Sequence, residues 1–306
     1  MISDSKNKPL TRAEASNLWL GALAALAAAL IGSGWQLGSR YGVTTTLGSM
    51  ELATLRYGVP ALVLLPVLFK IGLFPAALSK SKLALLVLSG GLPFGLVVLA
   101  GAQWAPASHI GVFLSGSLPL FTALAALVFL GDKVSRVRWL GLALIFVGLL
   151  VFGLAALANL AATWRGDILF LLAAIMWAAH TLAFRASGLT PWQGAALINF
   201  WSSLMLIPIL LTVGAPKLLT APWQDIAVQA LGQGIVAGLI GMAVYMAAVA
   251  RLGAARGSLS AALVPLFTGV GGAWLLNEPL SAGAMLAIGL VMAGVALAAD
   301  VFQRRP

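Results

Sequence analysis

Arg56, in the stretch MELATLRYG, and His180, in AAIMWAAHTLAFR, stand inside otherwise apolar runs. An ionisable group in hydrocarbon costs about 2.5–3.5 kcal/mol on insertion scales, so each marks a place where chemistry is expected. A guanidinium is a rigid fork of donors that matches a carboxylate. An imidazole titrates near neutral pH. Two roles are open to Arg56: hydrogen bonding between helices, or receiving the carboxylate of a small molecule. For His180 they are helix packing, contact with such a molecule, or proton exchange. Glu51 precedes Arg56 by about 500° of helical turn, so the two do not share one tight face. Glu51 is expected at the membrane interface as a topological anchor, and His109 as an exposed residue at a helix start.

Further polar groups fall within apolar runs: Gln103, Asn199 and Tyr245. A small zwitterion needs hydrogen-bonding partners for its two ends and an apolar wall for the rest. Trp35, Trp104, Trp177, Trp201 and Tyr245 are the rings placed to supply that wall, and a ring face also attracts an ammonium group. Trp19, Trp139, Trp164, Trp192 and Trp223 fall where an interfacial aromatic belt is expected. Pro119 and Pro265 sit near the middle of two apolar runs, where each removes a backbone hydrogen bond. They are the expected hinges, with a static kink as the alternative. Gly34/Gly38, Gly91/Gly95 and Gly234/Gly238 have the spacing of close helix packing.

These residues need elements to hold them, and the composition says which kind. The 306 residues are 61% hydrophobic and 8% charged, with a mean hydropathy of +1.03. A soluble domain carries about 25% charged residues, so the chain is expected to be an integral membrane protein. Ten apolar runs of spanning length lie at about 17–38, 49–69, 83–103, 107–130, 137–157, 167–186, 191–213, 226–250, 256–276 and 282–301. The polar N-terminus lacks the layout of a cleaved signal peptide.

Lys and Arg gather on the cytoplasmic side of short loops. With the N-terminus inside, only Arg40, Arg165 and Lys217 fall outside and Arg56 within a span; the remaining Lys and Arg lie inside. Both termini are therefore expected in the cytoplasm. The net charge of +10 is then a topology signal, with membrane lipid headgroups as its partner, and nucleic acid is not expected. There is no cysteine. Nor is there a His-Glu-x-x-His run, a phosphate-binding Gly-Lys-Ser/Thr loop or a paired acidic cluster. No metal, cofactor or catalytic residue is expected, and the chain is not expected to be an enzyme.

The sequence also repeats itself. SLPLFTALAALVFLGDKVS at residues 117–135 returns as LVPLFTGVGGAWLLNEPLS from residue 263. At this offset Gly111 falls on Gly257, Pro119 on Pro265, Asp132 on Glu278 and Gly148 on Gly294. One residue less aligns Gly21 with Gly166, Trp35 with His180 and Arg40 with Arg185. Two five-helix units, 1–158 and 159–306, follow. Because five is odd, the second enters the membrane from the opposite side, giving inverted repeats of the kind that place a transport site at their interface.

The stretches GDILFLLAAIMWAAHTLAFR, LATLRYGVPALVLLP and VPLFTGVGGAWLLNEPLSAGAMLAIGLVMAGVAL resemble the EamA-type members of the drug/metabolite transporter superfamily across essentially the whole chain. The second copy carries that family's Glu-Pro pair as Glu278-Pro279, where the first has Asp132-Lys133. The resemblance implies an all-α membrane protein of ten transmembrane helices, as two inverted five-helix repeats, in the bacterial inner membrane. It is similar in its many Trp to exporters of aromatic amino acids, some of broader range. The activity implied is alternating-access export of an amino acid, with export of another metabolite or drug as the alternative. A monomer is expected, with Trp35, Arg56, Gln103, Trp104, Trp177, His180, Asn199, Trp201 and Tyr245 as binding residues.

Overall fold

The computed structural model describes residues 12–76, 78–131, 133–158, 163–252 and 259–299. Lys6, Lys8, Asp132, Arg256, Gly257, Arg304 and Arg305, used in the charge and repeat arguments, lie outside the described residues. Those described fold into helices without a strand. In chain order these are α1 (Arg12–Thr44), α2 (Ser49–Val63), α3 (Leu65–Ile71), α4 (Lys80–Gly90) and α5 (Leu92–Trp104). Next come α6 (Ala107–Leu130), α7 (Arg136–Ala158), α8 (Trp164–Arg185), α9 (Pro191–Thr212) and α10 (Trp223–Leu252). The last two are α11 (Leu259–Leu275) and α12 (Ala282–Ala298).

Among the described residues seven helical stretches are long and apolar enough to cross a membrane, or eight if α2 and α3 form one span bent by 61°. α11 and α12 are apolar but, at 17 residues each, shorter than the about 20 a crossing needs. The bend is a departure from the single expected run 49–69. Pro66 has no N–H for the carbonyl of Leu62, and its ring crowds that turn, so the helix restarts at Leu65.

Prolines act unevenly elsewhere. The stretch 80–104 divides at Gly91, two residues before Pro93. In α6 a π-helical segment, Ile110–Gly116, precedes Pro119, which stands at the start of the regular turn Leu118–Leu130. α11 passes through Pro265 without a break. The two prolines therefore do not interrupt their helices alike. Pro265 instead lies against Gly111 and Gly116 of α6, where a Cβ on either glycine would meet it at 3.1 Å and 3.6 Å. α10 carries a second π-helical segment, Ala230–Ile240.

Packing is strongest between α7 and α12, and α1 lies along α10 and α11. α8 packs on α4, α5 and α6, while α2 meets α9 and α10. The α7–α12 contact rests on bare backbone. A Cβ on Gly294 would sit 2.7 Å from both the Gly141 carbonyl and the Ile145 nitrogen; one on Gly148 would sit 3.1 Å from the Ala287 carbonyl. Gly234 and Gly238 likewise admit Val59 and Pro60 of α2, whereas nothing approaches Gly34. Lipid tails are as apolar as the helices, so such close van der Waals contact, with buried polar links, holds the bundle. One link joins Gln36 of α1 to Ser115 of α6 (2.5 Å) and Thr268 of α11 (3.1 Å). Another joins Gln233 to Ser39 (3.2 Å) and Gln229 to the Gly38 carbonyl (3.0 Å).

The chain turns define two ends. At the Arg40 end, Glu51 is buried and accepts the N–H groups of Gly48 (2.9 Å) and Lys217 (3.2 Å). It is an interior tie between two turns, which corrects the expectation of an interfacial anchor. α5 also packs on α1 and α2 there. At the other end, which carries Arg185, the second half of α10 (Gly241–Leu252) has no comparable packing on α8 or α9 among the described residues.

Substituting Gly294 by Ala places a methyl against fixed backbone and should destabilise the protein by about 1–3 kcal/mol. Gly289, on the same helix, has open space around it, and its replacement by Ala should leave stability unchanged or slightly raised. Thermal unfolding of the two variants in detergent distinguishes them: a clear loss for Gly294→Ala alone is the expected result.

Candidate functional site

Four helices, α1, α2, α5 and α8, send side chains into one continuous row. The guanidinium carbon of Arg56 (α2) lies 4.4 Å over the Trp35 ring (α1) and 5.7 Å from that of Tyr57. Trp35 stacks on Phe94 of α5, with ring centroids 6.3 Å apart. Phe94 is tilted against Trp177 of α8 at 4.8 Å, and Trp177 lies 4.9 Å from His180. Phe184 closes the row at 6.1 Å from His180. Four residues expected from the sequence to line a site, Trp35, Arg56, Trp177 and His180, are thus brought together.

What distinguishes this row is its free donors. Trp35 Nε1, Arg56 Nε, Arg56 Nη1 and His180 Nδ1 are all buried without a hydrogen-bond partner. For His180 the Leu86 carbonyl is close by, but no bond of hydrogen-bonding geometry reaches its Nδ1. No carboxylate pairs with Arg56 among the described residues. A buried unpaired donor costs about 1–3 kcal/mol, and more when charged. The three of Trp35 and Arg56 are an unmet demand for acceptor atoms, and His180 Nδ1 donates or accepts according to its tautomer.

The α4–α5 break positions the row. Its freed backbone groups are met by side chains from both halves of the sequence: Tyr57 donates its hydroxyl to the Gly91 carbonyl at 2.7 Å, and Ser202 of α9 accepts the Leu92 N–H at 2.9 Å. Glycines make these approaches possible. A Cβ on Gly90 would strike the His180 imidazole, one on Gly91 the Ser202 hydroxyl, and one on Gly95 the Tyr57 hydroxyl. Phe94 follows directly and is 1% exposed. It is the central member of the row, and in a chain this apolar nothing in its type or spacing singles it out.

The other candidates lie apart from this row. Gln103 is exposed and donates to Ser49 at 2.8 Å, a tie at the Arg40 end. Trp104 is half exposed beneath the Arg165 guanidinium at 4.8 Å. Asn199 is satisfied within its own helix by the Ala195 carbonyl at 2.8 Å. Trp201 donates to the Leu73 carbonyl at 3.3 Å and packs on Phe74 and Phe200. Tyr245 is exposed on α10. Trp19, Trp139, Trp164, Trp192 and Trp223 are all exposed, as a belt requires.

Two ion pairs tie residues far apart in sequence, both at the Arg40 end. Arg40 Nε donates to Glu278 at 2.7 Å, and its Nη1 donates to the Ala102 carbonyl at 2.5 Å. The second oxygen of Glu278 accepts the Ala107 N–H at 2.7 Å, capping α6. His109 corrects its expectation: it is buried, not an exposed helix start, with Nδ1 2.6 Å from Asp167 and its ring edge-on to Phe152 at 4.8 Å. A cavity of about 310 Å³ beside it, reaching Ser108, Thr163 and Ser281, touches no member of the row. No grouping of His, Asp and Glu among the described residues suits a metal ion.

Among solved structures, the crystal structure of a protein 17% identical in sequence superimposes with a TM-score of 0.60, over 92% of this chain and 95% of that one. At that identity the likeness shows the fold alone. No curated protein matches the chain. The model of the EamA-like transporter family matches it twice, over residues 19–154 and 164–299. Together with apolar helices of membrane-crossing length, that double match makes the chain a multi-pass membrane protein belonging to the EamA-like transporter family, whose members move small molecules.

Proposed function

We propose that the protein exports amino acids, aromatic ones in particular, by alternating access across the bacterial inner membrane, with both termini in the cytoplasm. The observation that carries this reading is the Arg56 guanidinium, two of whose nitrogens, Nε and Nη1, are buried without a partner against Trp35 at one end of the aromatic row. It matches a carboxylate, and the ring faces beyond it match an aromatic side chain and an ammonium group.

Support for the mechanism comes from the pairing of helices. Matching α1 to α8, α2–α3 to α9, α4–α5 to α10, α6 to α11 and α7 to α12 maps the observed contacts onto one another. α1 with α10 corresponds to α8 with α4–α5, and α1 with α11 to α8 with α6. The pairs α7–α12, α6–α11 and α2–α9 map onto themselves. The glycine contacts follow the same rule. The Gly294 approach to Gly141 mirrors that of Gly148 to Ala287, and the approach of Gly166 to Ala105 mirrors that of Gly21 to Arg251. Ten spans in two inverted repeats account for all of these at once. The asymmetry at the two ends then fits one state of an exchanging pair, closed at the Arg40 end and open at the Arg185 end.

Uptake of radiolabelled tryptophan into proteoliposomes, with threonine and glutamate as competitors, tests the substrate class. Saturable uptake is expected with and without a pH gradient if the carrier is facilitative, and only with one if protons drive it. No uptake by folded protein would sink the amino-acid reading and favour another metabolite. Arg56→Gln should raise the apparent KM for tryptophan about tenfold or more, the loss of one charged hydrogen bond. Tryptophanamide, which lacks the carboxylate, should inhibit native and variant protein alike; equal losses for both ligands would remove Arg56 from the carboxylate role. His180→Ala, which deletes one ring of the row, should lower kcat/KM by about three- to tenfold. Unchanged kinetics would free His180 from the site.

A further inference from the structure

We propose that the His109–Asp167 pair is a proton-binding site, separate from the aromatic row, and that pH acts on transport through it. The role in transport rests on the carrier reading above; the proton site does not.

The chain has two histidines, the side chain whose charge ordinarily changes near neutral pH, and the fold treats them differently. His180 lies between Trp177 and Phe184 with Nδ1 buried and unpartnered, and no carboxylate pairs with it among the described residues. His109 has what a proton acceptor needs: an open lone pair and a fixed opposite charge. An ionised carboxylate only accepts, so Asp167, 2.6 Å from Nδ1, holds the ring proton there. The lone pair is then at Nε2, which is not shut away as His180 Nδ1 is. The ring lines the cavity of about 310 Å³, with the hydroxyl-bearing Ser108, Thr163 and Ser281. This cavity sits among the starts of α6, α8 and α12, all at the Arg40 end. A proton arriving there meets the free nitrogen, and the imidazolium it forms lies against a carboxylate.

The surrounding charges leave Asp167 to this task. From α1 and the turn before α12, Arg40 and Glu278 bind one another at 2.7 Å, and Glu278 also takes the Ala107 N–H. On α8, Arg165 lies over the Trp104 and Trp164 rings, 4.8 Å and 5.6 Å from their centroids. α4, α5, α7, α11 and α12 bring no ionisable side chain to this end among the described residues. The pair is also placed to be felt. It bridges α6 in the first half of the sequence and α8 in the second, and α8 carries Trp177 and His180 of the row about three turns further on. A tie between helices would need neither the cavity nor the open nitrogen.

Nuclear magnetic resonance of the protein carrying isotope-labelled histidine, in detergent, reads the two rings separately. His109→Asn removes one set of signals and His180→Ala the other, so either variant assigns both. At high pH His109 should carry its proton on Nδ1 and none on Nε2, and as the pH falls Nε2 should gain one. His109 signals that do not move with pH, or a single ring proton on Nε2, would overturn the site. Tryptophan counterflow in proteoliposomes, at equal pH on both sides, tests the role in transport. The native rate should change by about threefold or more across the range in which Nε2 titrates. His109→Asn offers Asp167 an amide N–H but takes no proton. It should flatten that change and leave the KM for tryptophan within about twofold, because the row lies apart. Asp167→Asn, made in case His109→Asn does not fold, removes the charge and should alter the dependence too. His180→Ala should keep the pH dependence at its lowered rate. A dependence unchanged in His109→Asn and Asp167→Asn, or lost in His180→Ala alone, would overturn the role of His109 in transport, while the titration still decides the site. No counterflow by the native protein sinks the carrier reading and that role with it, and the titration again decides the site.

Discussion

Every backbone group freed inside a membrane must find a partner within the protein, because lipid offers none. Most of the polar side chains in this bundle answer that demand. Tyr57 and Ser202 meet the carbonyl and N–H released where α4 gives way to α5. Glu278 and Arg40 meet those released where α5 turns into α6, and Glu51 meets two more at the neighbouring turns. Against this background the free donors of Arg56, Trp35 and His180 stand out. The fold satisfies broken helices at several places and leaves these atoms unmet, all facing one row of rings. Arg138 Nε and Ser203 Oγ are also buried without a partner, but only against this row do four such atoms gather, and that clustering is the physical ground for treating the row as a site.

The same economy shapes the symmetry. Where α7 and α12 meet, glycines bring backbone within contact of backbone, at Gly141 with Gly294 and Gly148 with Ala287, and such close packing leaves little room to rearrange. Contacts made by side chains across helix ends, such as Arg40 with Glu278, can be exchanged for water. A tightly packed pair of helices beside exchangeable polar ties is what the proposed alternating access requires. The uneven use of prolines belongs here too: equivalent residues, Pro119 and Pro265, interrupt one helix with a π-helical segment and leave the other regular.

Much of this was legible in the sequence, for reasons that differ from residue to residue. The apolar runs were legible because crossing a bilayer forces composition itself. Ionisable and aromatic residues were legible as candidates because they are rare and costly in such runs, which is why Arg56, Trp35, Trp177 and His180 were singled out before their contacts were known. Phe94 and Ser202 were hidden, one among many apolar residues and the other among small ones; the signal that could have found them is the Gly90-Gly91 pair ahead of Pro93, a break that needs outside partners. His109, Glu51 and Gln103 were misjudged or misplaced because depth along a helix says nothing about which neighbour turns toward it. Asp167, partner of His109, lies in the first turn of α8, where an acidic residue is ordinary and draws no notice.

The inventory of free atoms narrows what the row can take. Arginine and tryptophan nitrogens only donate, and His180 is the single member able to accept at a ring nitrogen. A ligand that offered chiefly donors would leave the guanidinium unpaired and gain little. A carboxylate meets two donors of the guanidinium at once and removes an uncompensated charge, a larger gain than any neutral oxygen provides. An ammonium group finds no carboxylate among the described residues of the row and depends on ring faces, which favour cations more weakly. The proposed site therefore holds an amino acid unevenly: firmly by its carboxylate, loosely by its amine, and by a side chain that must compete with Phe94 and Trp177 for the same apolar surface. An uneven grip of this kind allows breadth in the side chain while favouring ligands that carry an acid group.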